Sequence, residues 1–198
     1  MRQKKEEKMS KVLCFIYEKM ADFEMTFACH LLSYYGEKEV ITIAYDMNAV
    51  KGSSGIDYHP NNTVKEAINF EDVEALIIPG GWDMVFRAEI FELIQKLDKE
   101  KKLICAICAG PRYLALAGIL EGRNYTTTLN PEYFDESGEE DPFPRQTYIN
   151  NDVVRDEHII TAKGNAFIDF GIEIIDYYNL FENDEQKEQY ARHFKTCS

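Results

Sequence analysis

The stretch that decides the fold is Leu103-Ile104-Cys105-Ala106-Ile107-Cys108-Ala109-Gly110-Pro111. It starts as an unbroken apolar run, which is typical of a strand covered on both faces of a parallel sheet. Pro111 suits the first turn of a helix, so Cys108 stands at a strand-to-helix junction. The small residues Ala106 and Gly110 lie two positions on either side of it. This is the pattern of a nucleophile elbow, in which a tight, strained turn excludes bulk and lifts the nucleophile above the sheet.

The junction predicts specific chemistry for Cys108. The N-terminus of the following helix carries unpaired N–H groups and the positive end of the helix dipole, and both favour a thiolate. The turn also leaves the N–H of Ala109 free to bind an oxyanion. We therefore predict that Cys108 is a catalytic nucleophile and that Ala109 is an oxyanion donor.

Two further segments are predicted to lie at the same edge of the sheet, where parallel strands end. Ile77-Ile78-Pro79-Gly80-Gly81-Trp82 runs from a strand into a Gly-Gly turn. The N–H of Gly81 is the natural second oxyanion donor, and Trp82 either lines a pocket or fills the core. Glu24 opens the first helix after the first strand. A carboxyl group close to a thiol can stay protonated and donate a hydrogen bond to the thiolate, so we predict Glu24 as the partner of Cys108.

The rest of the chain alternates between strand-like and helix-like patterns. Apolar runs of strand length occur at 12–17, 39–45 and 75–79 as well as at 102–108. Helical spacing over 22–35 places Phe23, Phe27, Leu31 and Tyr34 on one face, and helical spacing over 84–99 does so for Phe86, Ile90, Leu93, Ile94 and Leu97. This alternation predicts an α/β fold, a doubly wound sandwich with a mostly parallel central sheet.

Other segments depart from that alternation. Residues 49–59 and 151–162 each predict a β-hairpin. Residues 132–145 contain proline, glycine and several acids, and predict an exposed loop that could cover a site as a lid. A long apolar helix is predicted from about 165 to 181, and a charged helix from about 183 to 194. Nothing divides the chain, so we predict a single domain over 1–198 with residues 1–10 as a flexible tail.

Composition excludes several classes of function. The 22 Lys and Arg residues against 35 Asp and Glu residues give a net charge of −13. This disfavours nucleic acid and anionic membrane surfaces as partners, and a DNA-binding module is not visible. No signal peptide or apolar run long enough for a membrane span is visible. Five cysteines in a chain with ample core residues indicate free thiols in a reducing cytoplasm.

At this point the sequence is identified as a member of a family by resemblance. The context of Glu24, the Pro79-Gly80-Gly81 turn and the Ile107-Cys108-Ala109-Gly110-Pro111 elbow resemble, in order and spacing, the ThiJ/PfpI family of the class I glutamine amidotransferase-like superfamily. The resemblance covers about 11–181. It implies a three-layer flavodoxin-like sandwich, a nucleophile at Cys108 paired with Glu24, oxyanion donors at Gly81 and Ala109, and commonly a homodimer. No cofactor is expected. Members include intracellular cysteine peptidases, glyoxalase-like or deglycase-like enzymes, isonitrile hydratases, chaperones and oxidation sensors.

The chain departs from the family in one respect. Many members have a histidine in a Thr-Thr-His-like string after the elbow, whereas this chain reads Tyr125-Thr126-Thr127-Thr128-Leu129-Asn130. None of the four histidines, His30, His59, His158 and His193, matches that position. A Cys108–Glu24 dyad is therefore expected in place of a triad. Thr128 or Asn130 could orient a substrate or water, but neither relays a proton near neutral pH.

The cysteines and two polar residues also allow other interpretations. Cys105 and Cys108 form a Cys-x-x-Cys string, but on an extended strand their Cα atoms would be roughly 10 Å apart and their side chains would face opposite ways, which disfavours a disulfide. No second ligand cluster supports a zinc site, so no metal is expected. Asp22 is predicted to cap the first helix and His158 to face solvent in a hairpin turn. Cys14 and Cys29 are predicted in the core and Cys197 in a tail.

The leading functional expectation is a cytoplasmic cysteine-dependent enzyme of the hydrolase class that acts on a small molecule or peptide. It is either a peptidase or amidase, or a glyoxalase-like or deglycase-like enzyme. Without the histidine, attack on a reactive aldehyde demands less of a general acid than peptide cleavage does. The alternative is a non-enzymatic oxidative-stress sensor or chaperone in which Cys108 is oxidised to a sulfinic acid.

Overall fold

The computed structural model describes residues 9–195. Most of the predicted tail over 1–10, and Cys197, lie outside the described residues. The described chain contains nine strands: β1 (Lys11–Phe15), β2 (Glu39–Ala44), β3 (Val50–Lys51), β4 (Asp57–Tyr58), β5 (Asn62–Thr63), β6 (Val73–Ile78), β7 (Leu103–Ile107), β8 (Val153–Asp156) and β9 (Ile159–Ala162).

Seven of these strands form the central sheet, in the order β5-β2-β1-β6-β7-β9-β8. All neighbouring pairs are parallel except β8 and β9, which are antiparallel. β7 is buried along its whole length, as its unbroken apolar sequence predicts. The four predicted strands are thus confirmed, and so are both hairpins, because β3 pairs with β4 and β8 with β9.

Helices cover both faces of the sheet. Their bounds are α1 (Asp22–Tyr34), α2 (Val64–Ala67), α3 (Ala88–Lys99), α4 (Pro111–Leu116), α5 (Pro131–Ser137), α6 (Phe167–Tyr177) and α7 (Asp184–Lys195). α6 contacts α1 and α7 in one layer, while α3 contacts α2 and α4 in the other. The predicted three-layer α/β sandwich is therefore confirmed. Within residues 9–195, no helix is long and apolar enough to cross a membrane.

Several predicted helix details are wrong. α1 buries Met25, Ala28 and Leu32, and leaves Phe23 and Tyr34 of its predicted inner face exposed. α3 begins only at Ala88, so Phe86 precedes the helix instead of lying on its face. α6 is shorter than its apolar pattern suggests, because a 3₁₀ turn over Gly164–Ala166 precedes it.

The exposed loop predicted over 132–145 is wrong in its first half, where α5 forms. Asn130 caps this helix by accepting a hydrogen bond from the N–H of Tyr133 over 3.0 Å. Pro131 occupies the first turn, where a missing N–H is harmless, and Phe134 is buried. The proline that we interpreted as a loop former thus starts a helix.

The prediction that His158 faces solvent is also wrong. His158 is buried, and its Nε2 lies 2.8 Å from Oδ1 of Asp98 at the end of α3. The same Oδ1 accepts a hydrogen bond from Arg123 over 2.6 Å. The polar turn that contains His158 packs against α3 at the amino end of β7 and β9 instead of facing solvent.

Candidate active site

Cys108 occupies the predicted elbow between β7 and α4. Its φ of 62° lies in the left-handed region that residues other than glycine rarely adopt. Two backbone hydrogen bonds keep Cys108 in this conformation. Its N–H donates to the carbonyl of Ala162 over 2.8 Å, and its own carbonyl accepts from the N–H of Thr128 over 3.0 Å. The turn therefore fixes the direction in which the thiol points.

Glu24 is brought to Cys108 by the first turn of α1. Its side chain is 1 % exposed, and Oε2 accepts a hydrogen bond from the N–H of Gly80 over 2.8 Å. Glu24 is also hydrogen-bonded to the thiol of Cys108. The structure thus brings together the two residues that the sequence predicts as the dyad.

Burial opposes ionisation of both members of the Cys108–Glu24 pair. Burial raises the pKa of Glu24 to about 7, although its hydrogen bonds from Gly80 and Cys108 oppose the shift. Burial and the carboxylate of Glu24 raise the pKa of Cys108 to about 12, and this outweighs the lowering by the hydroxyl of Thr128 and the N–H of Ala109. Burial thus favours the neutral form of Glu24, as predicted, and opposes ionisation of the thiol. The predicted thiolate at Cys108 stays a prediction, because the two groups titrate as one hydrogen-bonded pair.

Two glycines allow this close approach: Gly80, which the sequence places in the turn beside the elbow, and Gly164, to which sequence reasoning assigned no role. A Cβ on Gly164 would lie 2.9 Å from both Sγ of Cys108 and Oε1 of Glu24. A Cβ on Gly80 would lie 2.9 Å from the same Sγ. The signal for Gly164 was available, because it follows the parallel strand β9 and therefore lies at the same sheet edge as Cys108.

Thr128 stands beside the thiol in the string that lacks the family's histidine. Its hydroxyl is hydrogen-bonded to Cys108 and accepts the N–H of Gly164 over 3.0 Å. The hydroxyl of Tyr17 donates a hydrogen bond to the carbonyl of Pro79, the residue before Gly80, over 3.0 Å. A threonine hydroxyl orients groups but does not exchange protons near pH 7, so Glu24 is left to move the proton of the thiol.

Cys108 and Glu24 line a cavity of about 600 Å³. Its wall is mainly apolar and aromatic, and none of the residues between 9 and 195 that line it is a histidine. The lining comprises Ala21, Phe23, Glu24, Gly81, Trp82, Met84, Phe86, Cys108, Ala109, Arg112, Thr128, Leu129, Tyr133, Glu139, Gly164, Asn165 and Phe167.

The cavity contains most of the predicted site residues. Gly81, Ala109, Trp82 and Thr128 line it, and Trp82 does so from an exposed position instead of plugging the core. Asn130 is not part of the lining, because it caps α5. Sequence reasoning missed Arg112, whose position in the first turn of α4 places it beside the elbow.

Asp22 does not cap α1 as predicted, since Ala21 holds the cap position without a side-chain bond. The buried carboxylate of Asp22 accepts hydrogen bonds from Ser54 and, over 2.9 Å, from the hydroxyl of Tyr58. It thereby ties the β3–β4 hairpin to the start of the helix that carries Glu24. These hydrogen bonds hold the pKa of Asp22 below its ordinary value, against the effect of burial.

Two other expectations concern the thiols and metals. Cys105 is buried inside β7 and Cys29 is only half-buried, and both are free thiols, as are Cys14 and Cys108. Within residues 9–195, no group of three or more His, Cys, Asp or Glu side chains is placed to hold a metal ion. The groups that line the cavity include a thiol, a carboxyl group with a raised pKa and the guanidinium of Arg112.

Comparison with known proteins identifies the family. Residues 10–177 match the DJ-1/PfpI family. The protein named deglycase PfpI from Pyrococcus furiosus is 28% identical over 122 residues, which cover 60% of this chain and 72% of that protein. The uncharacterized protease YoaZ from Bacillus subtilis is 23% identical over 196 residues, 91% of this chain and 89% of that protein.

Solved structures show the same fold. The DJ-1 superfamily protein Atu0886 from Agrobacterium tumefaciens superposes with a TM-score of 0.78 at 22% identity, covering 95% of this chain and all of that one. The family match spans most of the sequence, including the elbow, the Gly-Gly turn and Glu24. The chain belongs to the DJ-1/PfpI family.

Proposed function

We propose that this protein is a cysteine-dependent enzyme that acts on small reactive carbonyl compounds, with 2-oxoaldehydes as its substrate class. The observation that carries the proposal is the pairing of Cys108 with Glu24 in a cavity whose described lining contains no histidine. A carboxyl group with a pKa near 7 is suited to accept and return a proton at neutral pH.

In the first step, Sγ of Cys108 forms a bond to the aldehyde carbon. The thiol proton passes to the carboxylate of Glu24, and the electron pair of the C=O bond moves to oxygen. The N–H groups of Ala109 and Gly81 hold this oxyanion, because both line the cavity beside the thiol. Return of the proton to the oxygen gives a hemithioacetal and regenerates the carboxylate.

The remaining steps need no external oxidant or reductant. Glu24 takes a proton from the former aldehyde carbon and delivers it to the adjacent carbonyl carbon, while the hydroxyl proton on the first carbon passes to the oxygen of the second. The hemithioacetal thereby becomes the thioester of a 2-hydroxy acid. Water then cleaves the thioester and restores the thiol. The sum is one 2-oxoaldehyde and one water converted into one 2-hydroxy acid.

Peptide cleavage fits the site less well. Expulsion of an amine requires a general acid that delivers a proton to the leaving nitrogen after the thiol has been deprotonated. In a cysteine peptidase a histidine performs both transfers, whereas Glu24 is buried against the backbone of Gly80. Peptidase or amidase activity is thus the less favoured hydrolase reaction for this site.

The sensor alternative is also less favoured. Peroxide reacts with a thiolate, and the raised pKa of Cys108 leaves little thiolate at neutral pH. We further propose that the enzyme works in a reducing cytoplasm, where its thiols stay free, and that it forms a homodimer, as the family resemblance implies. Sedimentation equilibrium tests the dimer.

The function is tested by incubating the purified protein with methylglyoxal and measuring lactate. We expect turnover by the wild type and none by Cys108→Ser. Cys105→Ala is the matched control, because it removes the neighbouring buried thiol, and should retain turnover. If the protein does not convert methylglyoxal but cleaves a peptide or an ester through Cys108, it is a peptidase or esterase and the proposed aldehyde chemistry is wrong. Stable sulfinic acid at Cys108 after mild peroxide, with no turnover, would establish the sensor.

A further inference from the structure

Arg112 is placed at the wall of the catalytic cavity by the first turn of α4, four residues after Cys108. Within the part of the chain that the structure describes, it is the only cationic residue in that lining. The chain as a whole carries a net charge of −13. A single buried cation in a largely apolar cavity of an acidic protein calls for a partner.

The partner of Arg112 in this structure is the carboxylate of Glu139, which also lines the cavity. NH1 of Arg112 lies 2.9 Å from Oε2 of Glu139, and the two side chains are 11% and 47% exposed. The guanidinium lies against the rings of Phe86 and Phe134, with centroid distances of 4.8 and 5.4 Å. It is therefore fixed on its faces by aromatic rings and paired at one edge by a half-exposed acid.

The pairing leaves one donor of the guanidinium unused. Nε of Arg112 is buried and, within residues 9–195, has no hydrogen-bond partner. Leaving a buried donor of a charged group unpaired is unfavourable. A guanidinium can offer two parallel N–H groups to one carboxylate, so a substrate carboxylate that displaces Glu139 can pair with NH1 of Arg112 in its place.

The side chain of Glu139 can move away from Arg112 while the backbone on either side of it stays in place. It follows Gly138, which ends α5 in a left-handed conformation. Two residues later the chain is anchored again, because Arg145 bonds Asp141 over 2.7 Å and the carbonyl of Leu129 over 3.0 Å. Only the side chain of Glu139 therefore needs to swing into water, and one carboxylate replaces another at Arg112 with no loss of charge pairing.

We propose that Arg112 is a specificity-determining residue that binds a carboxylate group of the substrate, and that Glu139 occupies its place until the substrate arrives. The substrate class is then an anionic 2-oxoaldehyde that carries a carboxylate on its far end. This inference deepens the proposed function and rests on it for the reaction, although the binding of a carboxylate is measurable without turnover.

The turnover experiment compares methylglyoxal with 4,5-dioxopentanoate, a five-carbon 2-oxoaldehyde that ends in a carboxylate. We expect the wild type to favour the anionic compound in kcat/KM. Arg112→Gln should reduce the ratio of the two kcat/KM values at least tenfold, and Arg112→Lys should restore part of it. Glu139→Gln should lower KM for 4,5-dioxopentanoate at least threefold, because it removes the competing carboxylate.

The binding experiment uses protection of Cys108 from iodoacetamide, followed by mass spectrometry, with pentanoate and pentanamide as matched probes. Pentanoate should slow alkylation of the wild type more than pentanamide does, and Arg112→Gln should abolish that difference. Equal protection by both probes, or a difference that survives Arg112→Gln, overturns the proposal. If neither aldehyde is turned over while pentanoate still protects through Arg112, the reaction is wrong and the carboxylate site stands.

Discussion

Oε2 of Glu24 accepts a hydrogen bond from the N–H of Gly80 over 2.8 Å. This bond anchors one oxygen of a carboxyl group that is otherwise buried, and the other oxygen, Oε1, lies on the side of Sγ of Cys108, where a Cβ on Gly164 would contact both. The carboxyl group is thus held in the orientation in which it exchanges a proton with the thiol. Its fixed geometry and raised pKa lead to the following predictions.

Replacement of Glu24 should change turnover and thiol reactivity in opposite directions. In Glu24→Gln the base is lost, so turnover of methylglyoxal should fall at least 100-fold. The carboxylate that raises the pKa of Cys108 is lost as well, so alkylation of Cys108 by iodoacetamide at pH 7.5 should become faster than in the wild type. Slower alkylation in this variant would show that Glu24 stabilises a thiolate instead.

Crowding of the dyad should reduce activity without unfolding the protein. The Cβ of Gly164→Ala would lie 2.9 Å from Sγ of Cys108 and from Oε1 of Glu24, so these side chains must turn apart. We expect kcat/KM to fall at least tenfold, while the melting temperature changes by only a few degrees. Gly110→Ala is the contrasting variant, because its Cβ meets the carbonyl oxygens of Ile78 and Ile107 at 2.6 and 2.8 Å. It should lower the melting temperature more, and equal melting temperatures for both variants would contradict this account.

The stability of the protein should depend on pH through Glu24. Its pKa rises from the ordinary 4.5 to about 7 on folding, so between these values the folded state keeps a proton that the unfolded state has lost. The free energy of unfolding contributed by this group therefore falls as pH rises from about 4.5 to about 7. The quantity to measure is the melting temperature of the wild type minus that of Glu24→Gln. This difference should be at least about 2 °C smaller at pH 8.5 than at pH 5. A difference that does not vary with pH would contradict the raised pKa.

His158 should contribute to stability and not to activity. Its bond to Asp98 lies at the opposite edge of the sheet from Cys108, and His158→Ala leaves that carboxylate with Arg123 alone. We expect a loss of about 1–3 kcal/mol in the free energy of unfolding, measured with urea, and unchanged kcat/KM. The exposed His59 is the control, and His59→Ala should change stability by less than about 0.5 kcal/mol.

The sequence predicts the fold and the centre of the site because both depend on local patterns. An apolar strand followed by Cys108-Ala109-Gly110-Pro111 predicts the elbow. Because parallel strands end at one edge of the sheet, Gly80, Gly81 and Glu24 are predicted to lie beside it. The same rule, applied to β9, would have identified Gly164. Helical spacing alone misplaced the inner face of α1, because exposed Phe23 lies at the mouth of the cavity and packs against the ring of Phe167.

The remaining features depend on contacts between distant segments. The pKa of Cys108 follows from burial and from Glu24, which the helix dipole argument does not include. Asp22 and His158 find partners 36 and 60 residues away, so no local pattern could assign them. The pairing of Arg112 with Glu139 requires the position of α5, which the acidic and proline-containing sequence did not predict.

We propose that Glu24, with its pKa raised to about 7, is the base that deprotonates Cys108. The decisive experiment measures kcat/KM for methylglyoxal from pH 5 to 9 in the wild type and in Glu24→Gln. We expect a rising limb in the wild type with an apparent pKa of about 7, and a residual rate in the variant that lacks this limb. A limb that persists unchanged in Glu24→Gln, or full turnover by that variant, would contradict it.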